Sequence, residues 1–300
     1  MATGDKAHVS SINIDLFRLL DSFSQDSDGI YAAPMPPSSS DQEAERALRE
    51  RVAALHYDDY LAVVARYHSV PVMDREIDRF LAQMPRGSLI LDIGGCWGWH
   101  WRRLAARPDV GVVIIDFVRA NLLHAQKVLG SLVGSQVALM HADATALPFS
   151  RASASFAGFD GVWTVQAFQH SPDFAQACRE AHRVLKPGGY FVNYSLHTTP
   201  LSRVVYRVMG KSFHTQGMMN DVHFHLSRAS DRQREIIADI FQGRVIDRYT
   251  ECLFHPGLLH IAFAGRPGSL IGRFDAALSN IPLLGQLIAR QRSFEIHKIA

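Results

Sequence analysis

A group of glycines behind an aspartate is the stretch of this chain best suited to hold a ligand. Asp92 is followed by Gly94, Gly95 and Gly98 within residues 89–98, Leu-Ile-Leu-Asp-Ile-Gly-Gly-Cys-Trp-Gly. Glycine adopts backbone angles that other residues avoid, and it lets a ligand approach the main chain. The apolar run before the turn and the helical pattern after it predict a strand, a tight turn and a helix N-terminus. Unpaired N–H groups at such an N-terminus can bind the polar atoms of a nucleotide.

A second carboxylate, Asp116, ends the next apolar run, residues 110–115. An acidic side chain at the end of the second strand of an α/β unit can accept hydrogen bonds from both hydroxyls of a ribose. Phe117 follows it directly and is a candidate for the same ligand. Asp116 could also cap the helix predicted at residues 118–129, and that role is compatible with binding.

The spacing of the glycines does not fit the two common phosphate-binding motifs. Counted from Gly94, the dinucleotide motif Gly-x-Gly-x-x-Gly would need glycines where Cys96 and Trp99 stand, and no lysine follows as in a P-loop. An NAD-type oxidoreductase is therefore only an alternative function. A plain strand-to-helix turn without a ligand is the other alternative from this stretch alone.

Two strings resemble motifs of the class I methyltransferases that use S-adenosylmethionine. Their motif I is an acidic residue followed by Gly-x-Gly-x-Gly; Asp92, Gly94 and Gly98 match it, and Cys96 replaces the middle glycine. The string Arg-Val-Leu-Lys-Pro-Gly-Gly-Tyr-Phe-Val, residues 183–192, closely resembles a signature of the group that includes the ubiquinone and menaquinone C-methyltransferases. This group is also called methyltransferase type 11.

The resemblance implies S-adenosyl-L-methionine as the cofactor and assigns further residues to it. Asp143, after the third predicted strand, would accept a hydrogen bond from the adenine amino group, and the backbone at Ala144 would meet the ring. Thr164 and Gln166 belong to the end of the fourth strand, at the same edge of the sheet. The full set of cofactor-binding candidates is Asp92, Gly94, Gly95, Gly98, Asp116, Phe117, Asp143, Ala144, Thr164 and Gln166.

His170 is the candidate for a catalytic general base. It follows the fourth strand, next to the position that the resemblance gives to the transferred methyl group, and an alcohol or phenol acceptor needs a group that takes its proton. It could instead pack or hydrogen-bond locally at the entry to a helix. Glu251 and His255 are two further residues that could reach an acceptor. No metal is expected, because His223 and His225 have no third ligand in the sequence pattern.

The candidate residues lie at the ends of strands in four successive strand–helix units. Such a succession predicts an α/β fold with a doubly wound, mostly parallel sheet, which binds ligands beyond the carboxyl ends of its strands. The resemblance implies the Rossmann-like class I methyltransferase fold with seven strands, N-terminal helices and an insertion after strand five. Residues 294–299 would be the seventh strand, antiparallel at the sheet edge.

Local patterns predict three further features. Ser171 has the type and position of a helix N-cap. Residues 200–210 read as a helix with Val204, Val205 and Val208 facing inward. Residues 270–290 form an amphipathic, apolar-rich pattern that packs as a cover or contacts a membrane surface or a partner.

The chain divides into a poorly patterned segment and one domain. Residues 1–40 contain a Ser-, Asp- and Pro-rich stretch from 21 to 40 that reads as a linker, and residues 41–300 form a single methyltransferase domain. Within that domain we assign an N-terminal helical cover (41–86), a cofactor-binding core (87–195), an acceptor lid (196–230) and a C-terminal part that completes the sheet and its helical cover (231–300).

Composition limits the partners and the compartment. The formal net charge of the 300 residues is +2, and the basic residues are scattered, so no nucleic-acid partner is expected. Three widely spaced cysteines give neither a disulfide framework nor a zinc pattern, which favours the cytoplasm. No run reaches the ~20 apolar residues of a membrane span.

The predicted function is methyl transfer from S-adenosylmethionine to an O, N or C atom of a small-molecule, glycan or lipid-precursor acceptor. The alternatives are an NAD(P)-dependent oxidoreductase and a non-catalytic, cofactor-binding relative that acts through partners. The acceptor and the oligomeric state do not follow from the sequence.

Overall fold

A computed structural model describes most of the sheet and its helices. The described residues are 16–40, 42–44, 46–47, 49–51, 69–150, 156–171, 173–197, 199–208, 217–219, 222–224, 230–253 and 266–299. Of the residues named above, His225 and His255 lie outside this part of the chain, and so do residues 52–68 of the proposed helical cover.

The described strands form one nine-stranded sheet and one separate hairpin. In the large sheet the order is β1-β2-β5-β4-β3-β6-β7-β11-β10, and β8 pairs with β9. The strands are β1 Ser24–Gln25, β2 Tyr31–Ala32, β3 Leu89–Ile93, β4 Gly111–Asp116, β5 Val137–His141, β6 Phe159–Val165, β7 Leu185–Leu196, β8 Gly217–Met219, β9 Val222–Phe224, β10 Ile246–Thr250 and β11 Gln291–His297. Strands β2 to β7 of this sheet run parallel, and β11 is antiparallel to both β7 and β10.

Helices cover both faces of the sheet. They are α1 Ser69–Ala82, α2 Arg119–Leu129, α3 Phe174–Val184, α4 Pro200–Val208, α5 Ser230–Phe241, α6 Arg266–Ser279 and α7 Pro282–Ile288. Residues 16–20 and the described residues from 40 to 51 are also helical. Apolar side chains of α3 and α5 pack on one face, and those of α1 and α2 pack on the other. Every residue of β3 and β4 is buried as a result, which explains their continuous apolar runs.

The predicted fold class is confirmed. Seven strands in the order β5-β4-β3-β6-β7-β11-β10 form the doubly wound, mostly parallel sheet, and the strand order reverses between β3 and β6. This reversal creates a crevice at the carboxyl ends of β3 and β6, where α/β sheets bind their ligands.

The two ends of the chain differ from the sequence-based expectation. The seventh strand does not lie at the sheet edge: β11 pairs with β7 on one side and with β10 on the other, so β10 is the edge strand. The interpretation of residues 21–40 as a linker missed a hairpin, in which β2 adds to the sheet beside β5 and Tyr31 pairs with Met140. Leu16 and Leu20, which precede the hairpin, are buried in the core.

No α-helix follows the glycine turn. The chain makes two short 3-10 turns instead, Trp99–Trp101 and Leu104–Ala106. Arg107 then leaves the helical region with φ −126° and ψ 68°. A helix is disfavoured there because the following Pro108 restricts the backbone of the residue before it.

Two other local predictions are wrong, and a third region is divided. Ser171 does not cap α3; Asp173 does, because its Oδ1 accepts a hydrogen bond of 2.9 Å from the backbone N–H of Gln176. Val204 and Val208 of α4 point outward, with 58% and 81% of their surface exposed. Residues 270–290 form two helices, α6 and α7, because Pro282 begins a new helix rather than continuing the first.

Candidate active site

The glycine turn after β3 is a compact loop with three left-handed residues. Gly94, Cys96 and Gly98 have φ values of 70°, 51° and 65°. The loop is attached to β4 through the N–H groups of Gly94 and Gly95, which both donate to the carbonyl oxygen of Ile115 at 2.8 and 3.2 Å. These bonds hold the turn beside the carboxyl end of β4.

Close packing explains why the loop needs its second glycine. A Cβ on Gly95 would lie 2.4 Å from Oδ2 of Asp92 and 2.6 Å from a methyl carbon of Ile114. The additional glycine beside Cys96 is therefore required by contact with the strand below it. Cys96 itself is exposed and adopts the backbone conformation that a glycine would adopt without strain.

Asp92 supports the loop from beneath. Its carboxylate is buried on β3, and Oδ2 accepts a 2.6 Å hydrogen bond from the indole Nε1 of Trp101. Burial raises the pKa of Asp92 to about 7; the Trp101 hydrogen bond lowers the pKa, and the nearby Asp116 raises it. With 1% of its surface exposed, Asp92 holds Trp101 and the glycine turn in place rather than presenting its carboxylate at the surface.

Asp116 ends β4 and connects the loop to the next helix. Its Oδ1 accepts hydrogen bonds from the N–H of Val118 at 2.8 Å and from Nδ2 of Asn121 at 3.3 Å, and its Oδ2 accepts one from the N–H of Cys96 at 3.0 Å. A carboxylate has about four acceptor positions, so Oδ2 can still accept a hydrogen bond from a ligand hydroxyl. Asp116 does not cap α2, because Val118 occupies the N-cap position and no side chain caps the helix. Its carboxylate instead fixes the segment that leads into α2 and lies at a position suited to ribose.

The electrostatic setting of Asp116 moves its proton uptake from the acidic range to about pH 6. Burial raises its pKa to about 6, while the three hydrogen bonds and the positive charge of Arg49 lower it. Arg49 belongs to the N-terminal helical residues, so that segment reaches toward the carboxyl end of β4.

Asp143 lies just beyond β5, and a second N-terminal residue contacts it. Its Oδ1 accepts hydrogen bonds of 2.6 Å from both the N–H and the hydroxyl of Thr145. Its Oδ2 accepts a hydrogen bond of 3.1 Å from Nε2 of Gln42. Ala144 is half-buried beside it. The N-terminal helical segment therefore covers the edge where Asp116 and Asp143 lie, and the sequence pattern gave no sign of which residues would make this contact.

The backbone after β6 turns sharply toward the glycine loop. Gln166 has φ 52°, and its N–H donates to the carbonyl oxygen of Tyr194 at 2.8 Å. The turn brings Ala167 so close to Gly94 that a Cβ on Gly94 would lie 2.3 Å from the Ala167 Cβ. Strain of this kind in a non-glycine residue clusters at functional sites. The half-buried Gln166 thus lies beside the crevice between β3 and β6.

The remaining candidates differ in access. Phe117 and His170 are half-buried, whereas Thr164 is fully buried within β6. The Thr164 hydroxyl has no hydrogen-bond partner among the described residues. Nε2 of His170 lies 3.2 Å from Nε2 of Gln169, whose Oε1 accepts a hydrogen bond of 2.8 Å from the N–H of Leu196. The chain therefore fixes His170 in the 3-10 turn Phe168–His170, just beyond β6.

Glu251 is buried and forms an ion pair. Its Oε2 accepts a 2.6 Å hydrogen bond from Nη1 of Arg290, and only 4% of its side chain is exposed. The ion pair ties the end of β10 to the residue before β11. This placement assigns Glu251 a structural contact that the sequence did not reveal.

The strand order and the loops at its switch point define the class of protein. A doubly wound sheet of seven strands contains the antiparallel β11 between β7 and β10, with a glycine turn after β3, an aspartate at the end of β4 and another after β5. This is the class I methyltransferase fold. A fold of the same kind occurs in a chain of the Haloferax volcanii complex between the Trm112 methyltransferase activator and a methyltransferase, with a TM-score of 0.53 and 16% identity over 84% of this chain and 97% of that chain.

Sequence comparisons identify the family. Residues 91–193 match a family described as a methyltransferase domain. The 27-O-demethylrifamycin SV methyltransferase of Amycolatopsis mediterranei is 30% identical over 235 residues, which cover 73% of this chain and 82% of that protein. The 24-methylenesterol C-methyltransferase 2 of Oryza sativa is 30% identical over 176 residues, which cover 58% of this chain but only 39% of that protein. The chain belongs to the class I methyltransferase family, whose members depend on S-adenosylmethionine.

Membership confirms the resemblance drawn from the glycine turn and the Lys-Pro-Gly-Gly string, and it favours a methyltransferase over an oxidoreductase. No helix within the described residues is both long enough and apolar enough to cross a membrane.

Proposed function

We propose that this chain binds S-adenosylmethionine at the carboxyl ends of β3, β4 and β5 and transfers its methyl group to a small-molecule acceptor. The observation that carries the proposal is the position of Asp116, at the end of β4, bonded to the glycine loop through the N–H of Cys96. An acidic side chain there can accept hydrogen bonds from ribose hydroxyls.

The residues present fit such a cofactor. Asp116 retains an acceptor position on Oδ2, Asp143 and the backbone at Ala144 are candidates for the adenine, and the loop of Gly94, Gly95 and Gly98 would lie against the amino-acid part. Gln166 lies beside the crevice, Phe117 follows Asp116 at the end of β4, and we propose that both complete the contacts to the cofactor. Asp92 and Thr164 are buried, so we assign them the role of supporting the loop and the strand end.

The cofactor supplies, when bound, a methyl carbon made electrophilic by its sulfonium. The protein then has to hold the acceptor atom in line and keep water away, because positioning contributes most of the rate in such a reaction. His170 is our candidate for the group that takes a proton from an alcohol or phenol acceptor at one of its ring nitrogens.

We propose a small molecule, a glycan or a lipid precursor as the acceptor. The relatives named for rifamycin and sterol substrates support a small-molecule acceptor. The insertion from 196 to 230, which contains α4 and the β8–β9 hairpin, would form the lid over that acceptor, since specificity commonly lies in loops on a fixed scaffold. We propose that residues 41–300 form a single domain together with residues 16–32, whose hairpin joins the same sheet and whose Leu16 and Leu20 enter the same core, and we propose a cytoplasmic location.

A thermal-shift panel tests the cofactor. The purified chain would be heated with S-adenosylmethionine, S-adenosylhomocysteine, NAD or NADP. A ligand at 100 times its dissociation constant stabilises the fold by about 2.7 kcal/mol, so binding is easily seen. A shift with the two adenosyl compounds alone is the expected result, and a shift with NAD or NADP alone would contradict the proposal.

Matched variants localise the binding. Asp116→Asn should lower the affinity for S-adenosylhomocysteine about 10- to 100-fold, because hydrogen bonds to a charged group contribute about 1.5–3 kcal/mol. Asp239→Asn, an exposed residue on α5, is the control and should bind as the parent does. Release of S-adenosylhomocysteine from S-adenosylmethionine with pooled acceptors then distinguishes an enzyme from a non-catalytic relative.

A further inference from the structure

Three neighbouring helices expose large apolar side chains to solvent. We call this set the apolar face: Leu201, Val204 and Val208 of α4, Leu270 and Phe274 of α6, and Ile281, Leu283 and Leu287 in and before α7. The most exposed are Val208 at 81% and Leu283 at 75%. Single exposed apolar residues are ordinary on a protein surface, but a contiguous set marks an interaction site.

The three helices that carry the set are neighbours. Helix α7 lies against both α4 and α6. Within each helix the exposed apolar residues are spaced three or four positions apart, as in Leu270 and Phe274 or Leu283 and Leu287. This spacing places them on one side of each helix. The face therefore consists of apolar stripes on adjacent helices.

The exposed charged side chains described on these helices are positive. Arg207 and Arg273 are exposed, and neither α4 nor α7 contains an acidic residue. Asp275 is the single acidic residue of α6, and it is fully buried. Its carboxylate accepts hydrogen bonds from the N–H groups of Cys252 and Leu253 at 2.6 and 3.1 Å. Its negative charge therefore lies inside the fold and does not contribute to the apolar face.

We propose that the apolar face docks on an anionic lipid surface. Apolar side chains at helical spacing enter the boundary between headgroups and acyl chains, while neighbouring arginines bind acidic headgroups. A second copy of the chain offers a poorer partner, because it would bring a face of the same positive charge against this one. The docked element is the group of helices that begins shortly after β7, whose carboxyl end borders the proposed active site.

Vesicle co-sedimentation of the full chain tests the proposal. The probes are vesicles of phosphatidylcholine alone and vesicles of equal parts phosphatidylcholine and phosphatidylglycerol. The chain should sediment with the mixed vesicles and far less with the neutral ones. Reversing the charge of Arg207 and Arg273 to Glu should lower binding to the mixed vesicles by about fivefold or more per residue.

A triple variant separates the apolar contribution from that of charge. Val208→Ser, Phe274→Ser and Leu283→Ser together should lower vesicle binding at least tenfold, and the fold should persist because the side chains are exposed. The matched control replaces three exposed apolar residues outside the face, Met35, Ile246 and Ile299, with Ser, and it should bind as the parent does.

Several outcomes overturn the proposal. The parent chain could fail to bind either vesicle, or the triple variant could bind as well as the control. A dimer seen by light scattering without lipid, and lost only in the triple variant, would identify a second copy as the occupant instead. Each of these results is independent of methyl transfer, since the readouts are sedimentation and mass.

Discussion

The backbone N–H of Cys96 donates a hydrogen bond of 3.0 Å to Oδ2 of Asp116. This bond joins the turn after β3 to the end of β4, and Trp97 adds a second connection through its indole Nε1, which donates to Oδ1 of Asn121 on α2 at 3.0 Å. The glycine loop and the proposed ribose acceptor therefore form one rigid unit. A change in the protonation of Asp116 should therefore alter the conformation of the glycine loop, and a change in the loop should alter the position of the Asp116 carboxylate.

Cofactor affinity should fall as the pH drops through about 6. Burial raises the pKa of Asp116 to about 6, so the carboxyl group becomes protonated below that pH in the ligand-free chain. Ribose hydroxyls donate to the ionised form, and binding must then release the proton. Affinity should therefore be constant above about pH 7 and fall up to tenfold per pH unit below 6.

Calorimetric titration with S-adenosylhomocysteine between pH 5 and 8 measures this dependence. Asp116→Asn should bind weakly with no such pH step, because the amide does not titrate. A parent affinity that stays flat across the range would rule out Asp116 as the titrating acceptor.

Cys96→Gly should stabilise the chain by about 1 kcal/mol. Cys96 has φ 51°, a conformation that costs an L-residue about 1 kcal/mol or more and costs glycine little. The Cys96 side chain is exposed, so its removal leaves no cavity. Urea denaturation of the two proteins gives the difference, and a destabilised Cys96→Gly would show that the thiol makes a contact worth more than the strain.

Gly94→Ala tests the close approach of the loop to Ala167. The new Cβ would lie 2.3 Å from the Ala167 Cβ, so one of the two loops must move. Gly87→Ala is the control, since Gly87 also has a positive φ, 81°, but has nothing within 4 Å of an added Cβ. An alanine with a positive φ is strained in both variants. Only Gly94→Ala also displaces a loop, so it alone should lose cofactor binding. Equal behaviour of the two would contradict the importance of the contact.

The sequence predicted the strand ends well because each parallel strand is a continuous apolar run that stops at a polar residue. Asp116 and Asp143 follow such runs, and a shared sheet edge then places them together. Gln42 and Arg49 could not be predicted, because their proximity to these aspartates depends on how a distant helical segment packs. The position of β11 between β7 and β10 could not be predicted either, because strand order depends on tertiary packing and not on a local sequence pattern.

The pair Glu251–Arg290 should be a determinant of stability rather than of catalysis. Arg290→Met breaks the ion pair of a carboxylate whose side chain is 4% exposed, and breaking a buried ion pair by removing one member costs about 3 kcal/mol or more. Urea denaturation should show this loss. Arg232→Met is the control, because its ion pair with Glu235 is about 60% exposed on both sides and should change stability by less than about 1 kcal/mol. Similar losses of unfolding free energy in the two variants would show that the buried pair contributes no more to stability than an exposed one.

His170→Ala should lower turnover about 10²- to 10⁴-fold while cofactor affinity stays within twofold, if the acceptor is a hydroxyl that loses its proton to this ring. His170 lies in the turn Phe168–His170, 3.2 Å from Nε2 of its neighbour Gln169, and circular dichroism and thermal unfolding of the variant verify that the fold is intact. His297→Ala, an exposed histidine on β11, is the control. The decisive readout is the pH profile of kcat once an acceptor is in hand: the parent should lose activity at acidic pH as the base is protonated, and the variant should not show that limb. A variant that keeps both the parent rate and the acidic limb would exclude His170 as the base and leave positioning of the acceptor as its remaining role.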